Sequence, residues 1–83
     1  GEPCFDTPPH IVEAAARAAR DGFTRYTPGQ GLLPLREAIA AKLERVNGLR
    51  VGPGEVIVSH GAMSGLFATF AAILEPGDEV LLP

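Results

Sequence analysis

An α/β architecture, with two helices followed by the strand-helix-strand start of a mostly parallel sheet, is predicted by three features of this 83-residue chain. The β-branched run "EVIVS" (Glu55 to Ser59) passes through a single glycine into a long segment without charge. A second apolar run, "EVLLP" (Glu79 to Pro83), follows at the spacing of a right-handed parallel crossover, which takes about 30 residues in all. Upstream, two stretches repeat apolar residues at the helical period.

Thr7-Pro8-Pro9 is a helix start, with Thr7 as N-cap and proline in the first turn, where its missing N–H costs nothing. Ile11, Ala15, Ala18 and Ala19 share a face, and Gly22 suits a left-handed C-terminal position, so the first helix is predicted over 8–21. "YTPGQG" (Tyr26 to Gly31) is a turn-rich loop. A second helix is predicted from about Leu32 to Val46, with Leu35, Ile39, Leu43 and Val46 as its stripe and Asn47-Gly48 as its stop. After the loop "GLRVGPG", Glu55 to Ser59 reads as a strand buried on both faces. Ala62 to Leu74 reads as a helix covered on most sides, "EPGD" (Glu75 to Asp78) as a turn, and Glu79 to Pro83 as a second strand. The chain is thus one unit, helices and loops over 1–54 and a strand-helix-strand unit over 55–83. A two-stranded parallel sheet is not a stable end point, so the remaining strands are expected elsewhere. A start without methionine and an ending on Pro83 directly after an apolar run suggest that both ends were cut from a longer chain.

Composition narrows the function. The hydrophobic fraction of 46% and charged fraction of 20% describe a packed globular protein. A net charge of −3 without a basic patch, and few dispersed aromatics, argue against nucleic acid as partner. No apolar run approaches the roughly 20 residues that span a bilayer, and no signal pattern opens the chain, so no membrane partner is expected. Cys4, the single cysteine, excludes an internal disulfide and a zinc site of paired cysteines; no metal is expected, and the setting reads as cytoplasmic.

The junction "SHGAMSGLF" carries the chemistry. A chain that arrives through Gly61 at a helix N-terminus meets first-turn N–H groups without partners and the positive end of the helix dipole, which together attract an anion. No Gly-Lys-Ser/Thr follows and the three-glycine dinucleotide spacing is absent, so neither nucleotide fingerprint applies. Glycine at such a junction also serves turn geometry alone, and the residues by themselves leave both readings open.

Four stretches in order, "GEPCFDTP", "YTPGQGLLPLREAIA", "VIVSHGAMSGLF" and "LEPGDEVLLP", resemble the N-terminal part of the large domain of fold-type I pyridoxal-phosphate enzymes. The likeness is to the class I/II aminotransferases of the aspartate aminotransferase group and runs through essentially the whole chain. It implies a three-layer α/β/α large domain, a homodimer, pyridoxal 5'-phosphate as cofactor, and amino-group transfer between an amino acid and a 2-oxo acid. By resemblance, Ala62 and Met63 present backbone N–H groups to the cofactor phosphate. Gly61 permits the close approach, and Ser64 is a further hydroxyl donor. Tyr26 inherits a hydrogen bond to the phosphate of the neighbouring subunit's cofactor, and Gly1 a backbone position against the substrate carboxylate. Cys4 stands where family members often have an acidic residue.

The resemblance places the lysine that bonds the cofactor, the Asp beside its ring nitrogen and the substrate-clamping arginine beyond Pro83. This chain alone is therefore expected to be inactive and to hold no catalytic group. Lys42, the only lysine, sits in no matching motif and reads as a snorkelling surface residue. Tyr26 could instead simply pack, His60 could meet the cofactor or point elsewhere, Cys4 reads as a loop thiol and His10 as solvated. The same fold supports C-S β-lyases, cyclopropane-carboxylate synthases and the cofactor-binding domain of some transcriptional regulators. Amino-acid specificity is not legible.

Overall fold

The computed structural model describes residues 2–82. Helix α1 spans Pro9–Arg20, α2 spans Leu33–Lys42 and runs on into a π-helical turn at Leu43–Asn47, a 3-10 turn covers Pro53–Glu55, and α3 spans Gly61–Ile73.

Helix α1 starts one residue later than predicted and without Thr7 as its cap. Pro9 restricts Pro8 to an extended conformation (φ −53°, ψ 138°), so Pro8 becomes the N-cap. The Pro8 carbonyl accepts the N–H of Ile11 at 2.9 Å and of Val12 at 3.3 Å. The helix ends as expected. Gly22 adopts φ 90°, its N–H donates to the Ala19 carbonyl at 3.2 Å, and the Phe23 N–H donates to the Ala18 carbonyl at 3.0 Å. Arg17 and Arg20 in the last turn complement the dipole.

Together α2 and its π turn cover the predicted second helix to within a residue or two, and Gly48 (φ 69°) stops it. Its half-buried face is Arg36, Ile39, Ala40 and Leu43, a helical i, i+3, i+4, i+7 set. The predicted stripe is therefore rotated: Ile39 and Leu43 belong to it, whereas Leu35 and Val46 are exposed. The neighbour of α2 is the 3-10 turn, whose start is fixed by the Gly52 N–H donating to Glu55 Oε2 at 2.7 Å and the Glu55 N–H donating to the Gly52 carbonyl at 3.0 Å. Among the described residues the buried apolar side chains are Ala40 and Val56, each 8% exposed.

The predicted strands do not form among the described residues. Val56 is extended (φ −108°, ψ 128°) and buried, but Ile57 beside it is 71% exposed, and residues 79–82 have no regular structure. The cause is non-local: a strand exists only through a ladder to a neighbour, and no neighbouring strand is present to supply one. The cover expected for α3 is missing for the same reason, with Met63 78% and Phe67 76% exposed. The turn after α3 forms as predicted. Gly77 takes φ 103°, the Asp78 N–H donates to the Glu75 carbonyl at 3.1 Å, and Asp78 Oδ2 accepts the Glu75 N–H at 2.8 Å.

The chain is open. Its accessible surface is 7690 Å², against about 4,700 Å² for a folded monomer of this mass. The radius of gyration is 16.0 Å, where a compact domain of this length has about 12 Å. Among the described residues, neither α1 nor α3 packs on another element.

Candidate functional site

The approach to α3 is a tight, glycine-dependent turn. His60 (φ −81°, ψ 77°) is the centre of an inverse γ-turn, closed by the Gly61 N–H donating to the Ser59 carbonyl at 3.0 Å. Gly61 then takes φ 77°, a region that disfavours side chains, and the space where its Cβ would stand is open. Ser59 Oγ donates to the Gly61 carbonyl at 3.1 Å. A Cβ on Gly65 would come within 2.8 Å of that hydroxyl, so the small residue one turn into the helix keeps Ser59 in place.

This leaves the second and third residues of α3 with donors that nothing receives among the described residues. No side chain caps the helix, no acidic residue stands in its first turn, and the Ala62 and Met63 N–H groups meet no acceptor among the described residues. The other two helices start differently. Both have proline in the first two positions, which removes a donor in each case, whereas α3 begins Gly61-Ala62-Met63 and keeps all of its own.

A second segment meets this turn. The loop after α1 closes a turn with the Gly31 N–H donating to the Pro28 carbonyl at 2.8 Å, and the Val58 N–H donates to the Gln30 carbonyl at 3.0 Å. Gly31 has φ 95°, and a Cβ there would lie 2.7 Å from Val58 Cγ2, so glycine is required both for conformation and for contact. Arg36 holds the loop from α2: its Nε donates to the Gly31 carbonyl at 3.1 Å and its Nη1 to the Pro53 carbonyl at 2.7 Å.

Between the two segments lies an open cleft of about 430 Å³, walled by residues 25–29 and Gly31 on one side and 58–60 on the other. Arg25 is the charged residue of its lining, and no carboxylate is part of it, so the local field favours an anion. Tyr26, fully exposed, and His60 both line it. Gly61, Ala62 and Met63 follow directly after His60 and are not part of the wall. The structure therefore brings Tyr26 and the turn before Gly61 to one cleft of one chain, with the free N–H groups just beyond. Gly1 lies outside the described residues. Cys4 is exposed, and Lys42, also exposed, donates to Asn47 Oδ1 at 2.8 Å; neither belongs to the cleft. Among the described residues no cluster of side chains suits a metal ion, and no helix is long and apolar enough to cross a membrane.

Sequence reasoning missed Arg25, Ser59 and Arg36. Ser59 and Arg25 offered no pattern, because their roles depend on two distant segments meeting. Arg36 did offer one: it stands at helical spacing from Ile39, Ala40 and Leu43, where an arginine on a half-buried face calls for buried acceptors.

The family profile described as aminotransferase class I and II matches residues 1–83. Aspartate/prephenate aminotransferase from Thermus thermophilus is 55% identical over 82 residues, covering 99% of this chain and 21% of that protein. The bifunctional aspartate aminotransferase and glutamate/aspartate-prephenate aminotransferase of Petunia hybrida is 51% identical over 83 residues, covering 100% of this chain and 17% of that protein. A solved tetra mutant of Thermus thermophilus aspartate aminotransferase superposes with a TM-score of 0.89 at 55% identity, covering 94% of this chain and 22% of that one. The chain spans about a fifth of the length of the curated relatives it matches.

Proposed function

The chain belongs to the class I and II aminotransferases, and from that premise we propose that it forms the phosphate-holding part of a pyridoxal-phosphate transaminase. In this reading it lies within a three-layer α/β/α large domain of fold-type I, where residues 56–59 and 79–82 pair as strands once neighbours are present. The reaction moves an amino group between an amino acid and a 2-oxo acid. The relatives' names point to aspartate as the amino donor and to prephenate among the 2-oxo acids. The protein is a homodimer and works in the cytoplasm.

The observation that carries this reading is the start of α3: a left-handed Gly61 with open space beside it, followed by the unpartnered N–H groups of Ala62 and Met63. The geometry fits a phosphate. A dianion can reach the two donors without meeting a side chain at Gly61, and the helix dipole and Arg25 add favourable charge. Bound there, pyridoxal 5'-phosphate would supply the electron sink and the reactive aldehyde. This chain's residues bind and orient. Ala62 and Met63 hold the phosphate by backbone donors that cannot be lost to a change of side chain. Ser64 adds a hydroxyl to the same turn, and Tyr26 offers a phenolic donor. Within a homodimer that tyrosine serves the partner subunit's cofactor.

The test is an assay of the full-length protein, loaded with pyridoxal phosphate, on L-aspartate with prephenate or 2-oxoglutarate. Formation of oxaloacetate with stoichiometric amination of the acceptor is expected. Release of pyruvate and ammonia from a cysteine conjugate, without transfer, would replace the transaminase reading by a lyase.

A further inference from the structure

We propose that Arg36 is a positioning residue for the cofactor site, holding the Tyr26 loop against the turn that leads into α3. The inference rests on the reading of that site as a phosphate cradle. Arg36 is half-buried on α2 and does not itself line the cleft. Its guanidinium instead bridges two loops, donating from Nε to the Gly31 carbonyl at 3.1 Å and from Nη1 to the Pro53 carbonyl at 2.7 Å. Gly31 closes the turn that begins at Pro28, two residues after Tyr26, and the same turn receives the Val58 N–H through Gln30. Arg36 is thus the side chain fixing the end of the tyrosine-bearing loop, while the other end leaves α1 through Gly22 without packing on another element.

The arginine fork matters here because the two carbonyls lie in different segments. A planar guanidinium reaches both with separate N–H groups at fixed angles, whereas a lysine ammonium is a point donor on a flexible stem. Loss of the fork leaves the loop held by one backbone hydrogen bond and the Gly31–Val58 contact. Tyr26 would then sample positions from which it misses the phosphate. An arginine acting only on general stability would not have this selective consequence.

A double-mutant cycle in the full-length protein separates these cases. Pyridoxal-phosphate dissociation constants are measured for wild type, Arg36→Met, Tyr26→Phe and the double variant. Amide exchange of the apo proteins is followed at residues 26–31 and at Val58. Arg36→Met and Tyr26→Phe are each expected to weaken binding by about 3- to 10-fold, and the double variant by no more than about twofold beyond the weaker single. Val58 and Gly31 amides should exchange faster in Arg36→Met, with α1 amides unchanged. If the two effects multiply, Arg36 does not act through Tyr26 and the proposal fails while the phosphate role of Tyr26 stands. If Tyr26→Phe binds as wild type does, the cradle reading of Tyr26 falls and the proposal with it. Where Arg36→Met does not fold, Arg36→Lys, which keeps the charge, enters the same cycle and decides it by the same two outcomes.

Discussion

Helices α2 and α3 are of similar length, 10 and 13 residues, yet only α2 has its surroundings within this chain. Helix α2 turns a half-buried face to the 3-10 turn, fixes two loops through Arg36, and contributes Ala40 to what core exists. Helix α3 is apolar around most of its circumference and buries none of its residues. A helix of mixed polar and apolar composition leaves little to cover and is served by one short neighbour, whereas a helix apolar on most sides needs cover around most of its circumference. The same open conformation occurs within a solved aspartate aminotransferase about four times as long. The N-terminus of α3 shows the same contrast for polar groups: its Ala62 and Met63 N–H groups meet no acceptor among the described residues.

The largest effect should appear where the two regions touch. Gly31→Ala combines a positive φ with a Cβ set 2.7 Å from Val58, and is expected to cost the full-length apo protein about 2–4 kcal/mol. Gly61→Ala carries the strain without the clash, because its Cβ meets open space, and should cost about 1–2 kcal/mol. Urea unfolding of both variants checks the difference; equal losses would mean that the Gly31–Val58 contact is not made. Next in size, Met63→Asp places a negative charge in the first turn of α3. The apo helix should gain about 0.3–1 kcal/mol from the dipole, while pyridoxal-phosphate affinity falls by about 1–2 kcal/mol through repulsion of the phosphate. Opposite signs in apo melting and cofactor titration are the signature. An unchanged affinity would place the phosphate away from this helix.

Legibility in the sequence followed the range of the interactions. Gly22 and Gly48 marked the ends of helices and Gly77 the turn after α3 because a left-handed residue is a local requirement, and each has positive φ where the helix end or the turn was expected. The junction at Gly61 was legible for the same reason. Thr7 was misread as a cap because Pro9 acts on Pro8 and leaves Thr7 one residue too far away. The stripe of α2 was misread because it was traced through apolar residues alone, whereas the half-buried face includes Arg36, whose donors reach the Gly31 and Pro53 carbonyls. Strands and the Gln30–Val58 contact depend on residues far apart in the chain. Periodicity carries no information about such partners.

Tyr26 tests whether the cleft seen within one chain is also the functional pairing. Tyr26→Phe should weaken cofactor retention by about 0.5–1.5 kcal/mol, the value of one hydrogen bond. Mixed dimers of Tyr26→Phe subunits with subunits lacking the cofactor-bonding lysine distinguish the two arrangements. If the tyrosine serves its partner's cofactor, both defects fall on one site and the other is intact, so mixing restores activity. If it serves its own chain, each site keeps one defect and mixing restores little beyond the Phe variant's own rate.

The smallest effect is expected at Lys42, where the contrast between the two helices is sharpest in chemical terms. Helix α2 supplies structure, and its lysine, the only one in the chain, is exposed and engaged with Asn47 Oδ1. An exposed hydrogen bond of this kind contributes little, so Lys42→Gln should change stability by less than about 0.5 kcal/mol and leave cofactor retention unaltered. Borohydride reduction of the cofactor-loaded full-length protein, followed by peptide mapping, should place the label on a lysine outside this chain in both proteins. A stoichiometric label on Lys42, or its loss in Lys42→Gln, would move the covalent chemistry onto α2. The helix that holds the loops would then also hold the reacting group, and the division between a scaffold at α2 and a ligand site at α3 would not stand.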